Sequence, residues 1–238
     1  MRSPGLIIFL LILSSWANFS FKEPPSYTKA DLLGDIDPTR HHDFKKLRSK
    51  YTTKESAYLR DEVYDAFKEM WKAAEKDDIS LIIVSATRNR SYQSGIWNRK
   101  WNSFAGEENS RAERILQYSS MPGTSRHHWG TDFDLNALEN SYFTSGEGLK
   151  IYNWLIANAA EFGFYQPYIA FNNYREQGYR EEKWHWSYYP LASKFQRAYN
   201  HLVEYGDLNG FQGDEYAEKL QVIDTYVNGV DSWPKNHD

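Results

Sequence analysis

Ser125-Arg-His-His-Trp-Gly-Thr-Asp-Phe-Asp134 is the most informative stretch of this 238-residue chain. From Asp132 to Ala137 the residues alternate, with Asp132, Asp134 and Asn136 on one side and Phe133, Leu135 and Ala137 on the other. That is the period-two pattern of a strand. Gly130 lets the chain turn just before it, and His127 lies seven residues ahead of Asp134. One turn therefore brings an imidazole and a carboxylate to the same place.

Upstream, Leu59, Val63, Ala66, Phe67, Met70, Trp71 and Ala74 recur at three-and-four spacing and predict an amphipathic helix over Tyr58 to Lys76. Leu81 to Val84 reads as a short buried strand entering a loop at Thr87, Ser91 to Trp101 and Arg111 to Tyr118 as helices, and Met121 to Ser125, with Pro and Gly, as a loop. Downstream, Gly148 to Phe162 has helical periodicity with Gly163 at its stop. Glu181 to Tyr188 is expected to be a strand, and Ser193 to Glu204 and Glu215 to Val227 closing helices. Phe21 to Leu47, with Pro24, Pro25 and Pro38, shows little periodicity and is expected to wrap the surface as an irregular arm, and no core element is assigned there. No repeat, low-complexity tract or linker separates two cores. The expected class is α+β: one domain over residues 58–238, a central mostly antiparallel sheet flanked by helices, preceded by an arm over 18–57.

Composition narrows the function. Lys and Arg number 28 against 32 Asp and Glu, a net charge of −4, which argues against a nucleic-acid partner. Hydrophobic residues at 41% and charged residues at 25% are ordinary for a globular chain. The 9 Trp and 18 Tyr suit clefts as well as cores, and Trp97, Trp101, Trp154 and Trp186 read as core. Cysteine is absent, which removes disulfides, thiolate nucleophiles, lipoprotein anchoring and Cys-ligated zinc, so any metal must sit on His, Asp or Glu. At the N-terminus, Arg2, the apolar run Leu6 to Leu13 and the closing Ser15-Trp16-Ala17 read as a secretory signal peptide over residues 1–17. The run falls short of the roughly 20 apolar residues a spanning helix needs. The expectation is an exported domain with no stable membrane insertion after cleavage.

Three of the seven His lie in two polar segments, the quoted stretch and Glu182-Lys-Trp-His185. His127 and Asp134 from one turn, with His185 arriving from a distant strand, make a three-ligand set with one position open. That is the pattern of a catalytic zinc site, in which the vacancy admits the nucleophile. Glu182, three residues before His185, falls on the opposite face of a regular strand, so a bulge or turn must intervene if both serve one site. Given that turn, Glu182 is the candidate base for water made acidic by the ion. Plainer readings stand beside these: His127 with Asp134 as a structural pair, His185 as packing with Trp184, Glu181 as the base instead of Glu182, and His128 as a supporting or surface group. His41, His42 and Asp43 point only weakly to a metal, and a solvated turn is the better reading there.

The quoted stretch resembles the Ser-x-His-x-x-Gly-x-Ala-x-Asp signature, and Glu182 to His185 the Glu-x-Trp-His signature, of the zinc D-alanyl-D-alanine carboxypeptidases and dipeptidases related to the vancomycin-resistance peptidases. Those enzymes share a fold with the hedgehog signalling domain. Ser85 to Trp97 resembles the segment of that family in which an Arg precedes a helix. The resemblance implies one zinc ion on His127, Asp134 and His185, with Glu182 as general base. It further implies Arg88 as oxyanion or substrate ligand, Ser125 holding substrate backbone, and Gln93 shaping the pocket. The implied substrate is the peptidoglycan stem peptide and the implied location the periplasm or cell envelope. Removal of a terminal D-alanine is the leading activity; a murein endopeptidase on the same ion and a non-catalytic, zinc-stabilised wall-binding module are the alternatives. One departure stands out. Asp132 occupies the Ala position, and on the same strand face as Asp134 it is expected to meet a substrate ammonium, the metal or a substrate carboxylate.

Overall fold

In a computed structural model, residues 27–231 are described, and the expected signal peptide over 1–17 lies outside the described residues. Thr28 and Asp31 cap each other's backbone, and Gly34, at φ 77°, closes helix α1 (Lys29–Leu33). Strand β1 (Phe44–Lys46) pairs antiparallel with β2 (Tyr58–Arg60). This corrects the expected irregular arm: Leu32 and Leu33 enter the core, and the buried Arg60 guanidinium reaches Asp31 at 3.1 Å and Asp43 at 2.6 Å. Elements of five and three residues are too short to display a period, so patterning alone could not find them.

Helix α2 (Asp61–Lys76) starts three residues later than Tyr58 because those residues pair as β2, and it buries Val63, Phe67, Met70 and Ala74 at the expected spacing. Strand β3 (Ile83–Ser85) leads to α3 (Arg90–Ser103), whose Asn89 side chain accepts from the Tyr92 amide at 2.8 Å as N-cap. After α4 (Glu108–Ile115) come a 3-10 turn over Arg126–Trp129 and strand β4 (Asp132–Leu135). Helix α5 (Gly146–Asn158) and a 3-10 turn end at Gly163, φ 82°, followed by β5 (Phe164–Tyr165), β6 (His185–Tyr188) and α6 (Tyr189–Leu202). The expected strand over Glu181 to Tyr188 is therefore only half strand. The expected last helix is broken too: α7 (Tyr216–Lys219) stops before Gln221, which adopts φ 48°, and a π-turn follows over Ile223–Val227.

The central sheet runs β3-β4-β6-β5, and every neighbouring pair is antiparallel. Phe133 of β4 packs edge-on against Phe67 of α2 and Phe164 of β5, each at 5.1 Å between ring centroids. Each fully buried Phe is worth about 1.5–3 kcal/mol of hydrophobic transfer. That apolar face fixes the register, and the register sets Asp134 opposite His185 on one side and Ser85 on the other. Among the described residues no helix is long and apolar enough to cross a membrane.

Candidate active site

The turn before β4 depends on Gly130. Its φ is 71°, and a Cβ there would lie 2.4 Å from the Phe44 ring. This turn tips His127 toward the strand. The His127 Nδ1–H donates to the Ala86 carbonyl at 2.8 Å, which leaves Nε2 with its lone pair 3.3 Å from Asp134 Oδ1. From β6, His185 brings Nδ1 to 3.0 Å from the same oxygen. All three side chains are buried, and their ligand atoms lie within 4.8 Å of one another. A tetrahedral ion about 2.0–2.1 Å from its ligands spaces them about 3.3 Å apart. The 3.0 and 3.3 Å separations seen here fit such an ion, and two imidazoles with one carboxylate form a donor set suited to zinc and other first-row divalent ions.

Glu182 joins this cluster through the turn that strand geometry requires. The His185 amide donates to the Glu182 carbonyl at 3.2 Å, and residues 183 and 184 form the turn. Glu182 Oε2 thereby lies 3.7 Å from His185 Nδ1. Burial pushes the Glu182 carboxyl up to about 7, Asp134 adds to the rise, and His185 and Arg88 oppose it. Glu181 takes no part in the cavity wall, so of the two adjacent glutamates Glu182 is the one at the site. For His185, burial opposes the charged form, but hydrogen bonds to Asp132 and Asp134 outweigh it and raise the ring to about 9. Burial and the nearby Arg88 hold His127 below its ordinary value. Asp134 is well below the carboxylate range because the histidine charges and hydrogen bonds overcome its burial.

Over residues 56–191 the sequence matches the family described as VanY, D-alanyl-D-alanine carboxypeptidase. The chain belongs to this family. It is 28% identical over 211 residues to a putative carboxypeptidase, YodJ, of Bacillus subtilis (strain 168), covering 87% of this chain and 67% of the relative. It is also 28% identical over 136 residues to a D-alanyl-D-alanine carboxypeptidase of Enterococcus faecalis (strain ATCC 700802 / V583), covering 56% of this chain and 46% of the relative. The fold is similar to that of VanYB solved in complex with D-alanine-D-alanine, with TM-score 0.51, 21% identity, and 77% and 92% of the two chains covered. It is likewise similar to the LdcB LD-carboxypeptidase, with TM-score 0.54, 22% identity, and 78% and 80% covered. The mixed helical and antiparallel architecture expected from the sequence agrees with these neighbours.

Within this VanY-family chain the ligand cluster opens into a cavity of about 490 Å³ whose wall includes Arg88, Gln93, Ser125 and Glu182. Arg88 Nη1 is 3.2 Å from Ser85 Oγ and 3.9 Å from Asp134 Oδ2. Among the described residues Arg88 Nε, Gln93 Oε1 and Ser125 Oγ are buried without a hydrogen-bond partner, while Gln93 Nε2 is held by the Ser120 carbonyl at 2.8 Å. Buried polar atoms rarely stay unpaired. All three belong to residues of one cavity wall, although the atoms themselves are closed off from solvent.

Asp132 departs from its expectation. It is fully buried, stands outside the cavity wall, and accepts from Arg126 Nε at 2.9 Å while lying 3.1 Å from His185 Nε2. Sharing a strand face with Asp134 was read correctly, but the His185 ring is interposed between Asp132 and the cavity. His128 is structural: Nδ1–H donates to the Arg88 carbonyl at 2.6 Å, Nε2 accepts from the Gly123 amide at 3.1 Å, and burial pushes the ring down to about 3. His41 Nδ1 accepts from the Asp43 amide and its Nε2 reaches Asp31 at 3.2 Å, so both ring nitrogens are engaged within the protein. Lys100 was missed. It lines the cavity half-buried, and burial pulls its ammonium below the usual value, with Glu182 partly compensating. The signal was present in the helical spacing of Gln93, Ile96 and Lys100, which puts all three on one face of α3.

Proposed function

We propose that the protein is an exported zinc-dependent D-alanyl-D-alanine carboxypeptidase that removes the terminal D-alanine from peptidoglycan stem peptides. The observation that carries this reading is Glu182, raised to about 7, in the wall of the same cavity as the buried His127, Asp134 and His185 set. Family membership supports the reaction, the apolar run near the N-terminus supports export to the cell envelope, and the donor chemistry of the cluster supports zinc.

When bound, zinc supplies Lewis acidity, polarising a carbonyl and making water acidic enough for a carboxylate to deprotonate. Glu182 takes the proton of the attacking water and delivers it to the departing amine; a pKa near 7 suits a group that must both accept and donate. Arg88, close to Asp134, meets the negative charge growing on the carbonyl oxygen, and its contact with Ser85 pre-orients the guanidinium. Ser125 holds the substrate backbone from the cavity wall, and Gln93, anchored to the Ser120 carbonyl, shapes the pocket. Lys100 is the cation available for the terminal carboxylate.

Mass spectrometry of defined pentapeptide muropeptides incubated with zinc-loaded protein tests this. Loss of one terminal alanine, slowed at least about 10²-fold in Glu182→Gln with zinc still bound, is expected. An intact pentapeptide, or unchanged turnover in that variant, refutes the activity or the base respectively. Cleavage of cross-linked dimers alone would instead mark an endopeptidase.

A further inference from the structure

Asp132 and Arg126 form a buried ion pair directly behind the His185 ring. Both side chains are buried to 1% exposure or less. Asp132 Oδ1 receives Arg126 Nε at 2.9 Å and lies 3.1 Å from His185 Nε2, and its other oxygen takes the Thr131 hydroxyl. Arg126 is fixed in turn: Nη1 donates to Gln196 at 3.0 Å, Nη2 to Ser187 at 2.8 Å and Tyr165 at 3.2 Å, and the guanidinium stacks 4.8 Å from the centre of the Trp129 ring.

We propose that Asp132, with its charge balanced by Arg126, is a positioning residue that locks His185 in the tautomer able to bind the ion. The inference rests on the metal reading of the cluster. A neutral imidazole carries its proton on one nitrogen, and the ligating nitrogen must be the other. His185 Nδ1 faces Asp134 and Glu182, at 3.0 and 3.7 Å. Left alone, those carboxylates attract the proton to Nδ1 and block ligation there. Asp132 competes from the opposite side of the ring and holds the proton on Nε2, which also aims the ring and makes Nδ1 more basic. Arg126 is what permits a third carboxylate beside Asp134 and Glu182: removing Asp132 alone leaves a buried guanidinium near a divalent cation.

The test compares zinc affinity at pH 9.5, where the neutral imidazole prevails, by chelator competition on metal-free full-length protein, in wild type, Asp132→Ala and the double variant Asp132→Ala/Arg126→Met. The double variant removes both charges together and guards against loss of the fold, which thermal unfolding of the metal-free forms monitors. Asp132→Ala is expected to weaken zinc binding by about 100-fold, and the double variant to remain at least about 10-fold weaker than wild type, the range seen when groups supporting a ligand are lost. Nitrogen NMR of labelled histidine in the zinc-loaded wild type is expected to show the metal on His185 Nδ1 and the proton on Nε2. A double variant that folds and binds zinc as wild type does overturns the proposal and leaves Asp132 as a mere counter-charge for Arg126. Wild type that fails to bind zinc overturns the metal reading, and this proposal with it.

Discussion

Zinc loading should release protons in a number the site itself sets. In the metal-free protein the His185 ring sits between Asp134 and Asp132, which hold it protonated up to about pH 9 despite burial. At pH 7 it is two units below that value, so about 99% of molecules carry a proton on Nδ1 that the ion must displace. His127 is already neutral, and Asp134 is already ionised. Glu182, at about 7, is half protonated at that pH and adds up to about half a proton when a dication arrives beside it. The total is about 1 to 1.5 protons per ion at pH 7. Displacing the His185 proton costs about 3 kcal/mol at pH 7, so affinity there lies about 100-fold below its plateau above pH 9. Calorimetric titration in buffers of different ionisation enthalpy counts the protons, and chelator competition between pH 6.5 and 8.5 gives the slope. Affinity should rise about tenfold per pH unit. Zero proton release at pH 7 with a flat affinity profile would refute the assignment of His185 as a ligand through Nδ1.

Three further outcomes are expected. Lys100→Met should lower kcat/KM by about tenfold or more, mostly through KM, for peptides with a free terminal carboxylate and leave the already slow cleavage of amide-terminated peptides unchanged; equal losses on both would remove Lys100 from carboxylate recognition. In chelator, the stability contributed by protonated His185 is fully present below the unfolded value of 6.5 and is lost as pH rises through about 9, so the metal-free protein should lose about 3 kcal/mol between pH 6.5 and 9.5. Denaturant midpoints measure that loss, and a midpoint independent of pH over this window would show that the folded protein does not hold the His185 proton. Gly130→Ala must place a Cβ 2.4 Å from Phe44 at φ 71°, and should cost about 2 kcal/mol or more in a denaturation curve of unchanged slope while weakening zinc binding through His127; wild-type stability would mean the turn relaxes freely.

What the sequence revealed follows the range over which each signal acts. Helix α2 was legible because its sixteen residues carry buried side chains at helical spacing, and β4 because Phe133 and Leu135 alternate with acids. Helix α1 and strand β1 were not, since elements this short are held by partners far along the chain, such as Arg60 on Asp31 and Asp43. The break at Gln221 is a single backbone angle that no side-chain pattern announces. The site divides in the same way. His127, Asp134, Glu182 and His185 were readable because the chemistry demands those residue types at those spacings, and the turn between Glu182 and His185 was required before it was seen. Asp132 shows where such reasoning ends. Alternation assigns it to the face of Asp134 but says nothing about depth, and depth is decided by the neighbouring strand. Pairing sets Asp134 against His185 and Asp132 against Ser187, so the His185 ring spans the two carboxylates with one nitrogen toward each. One acid of the pair faces the cavity and the other supports the imidazole from behind, a distinction that strand register makes and strand periodicity does not.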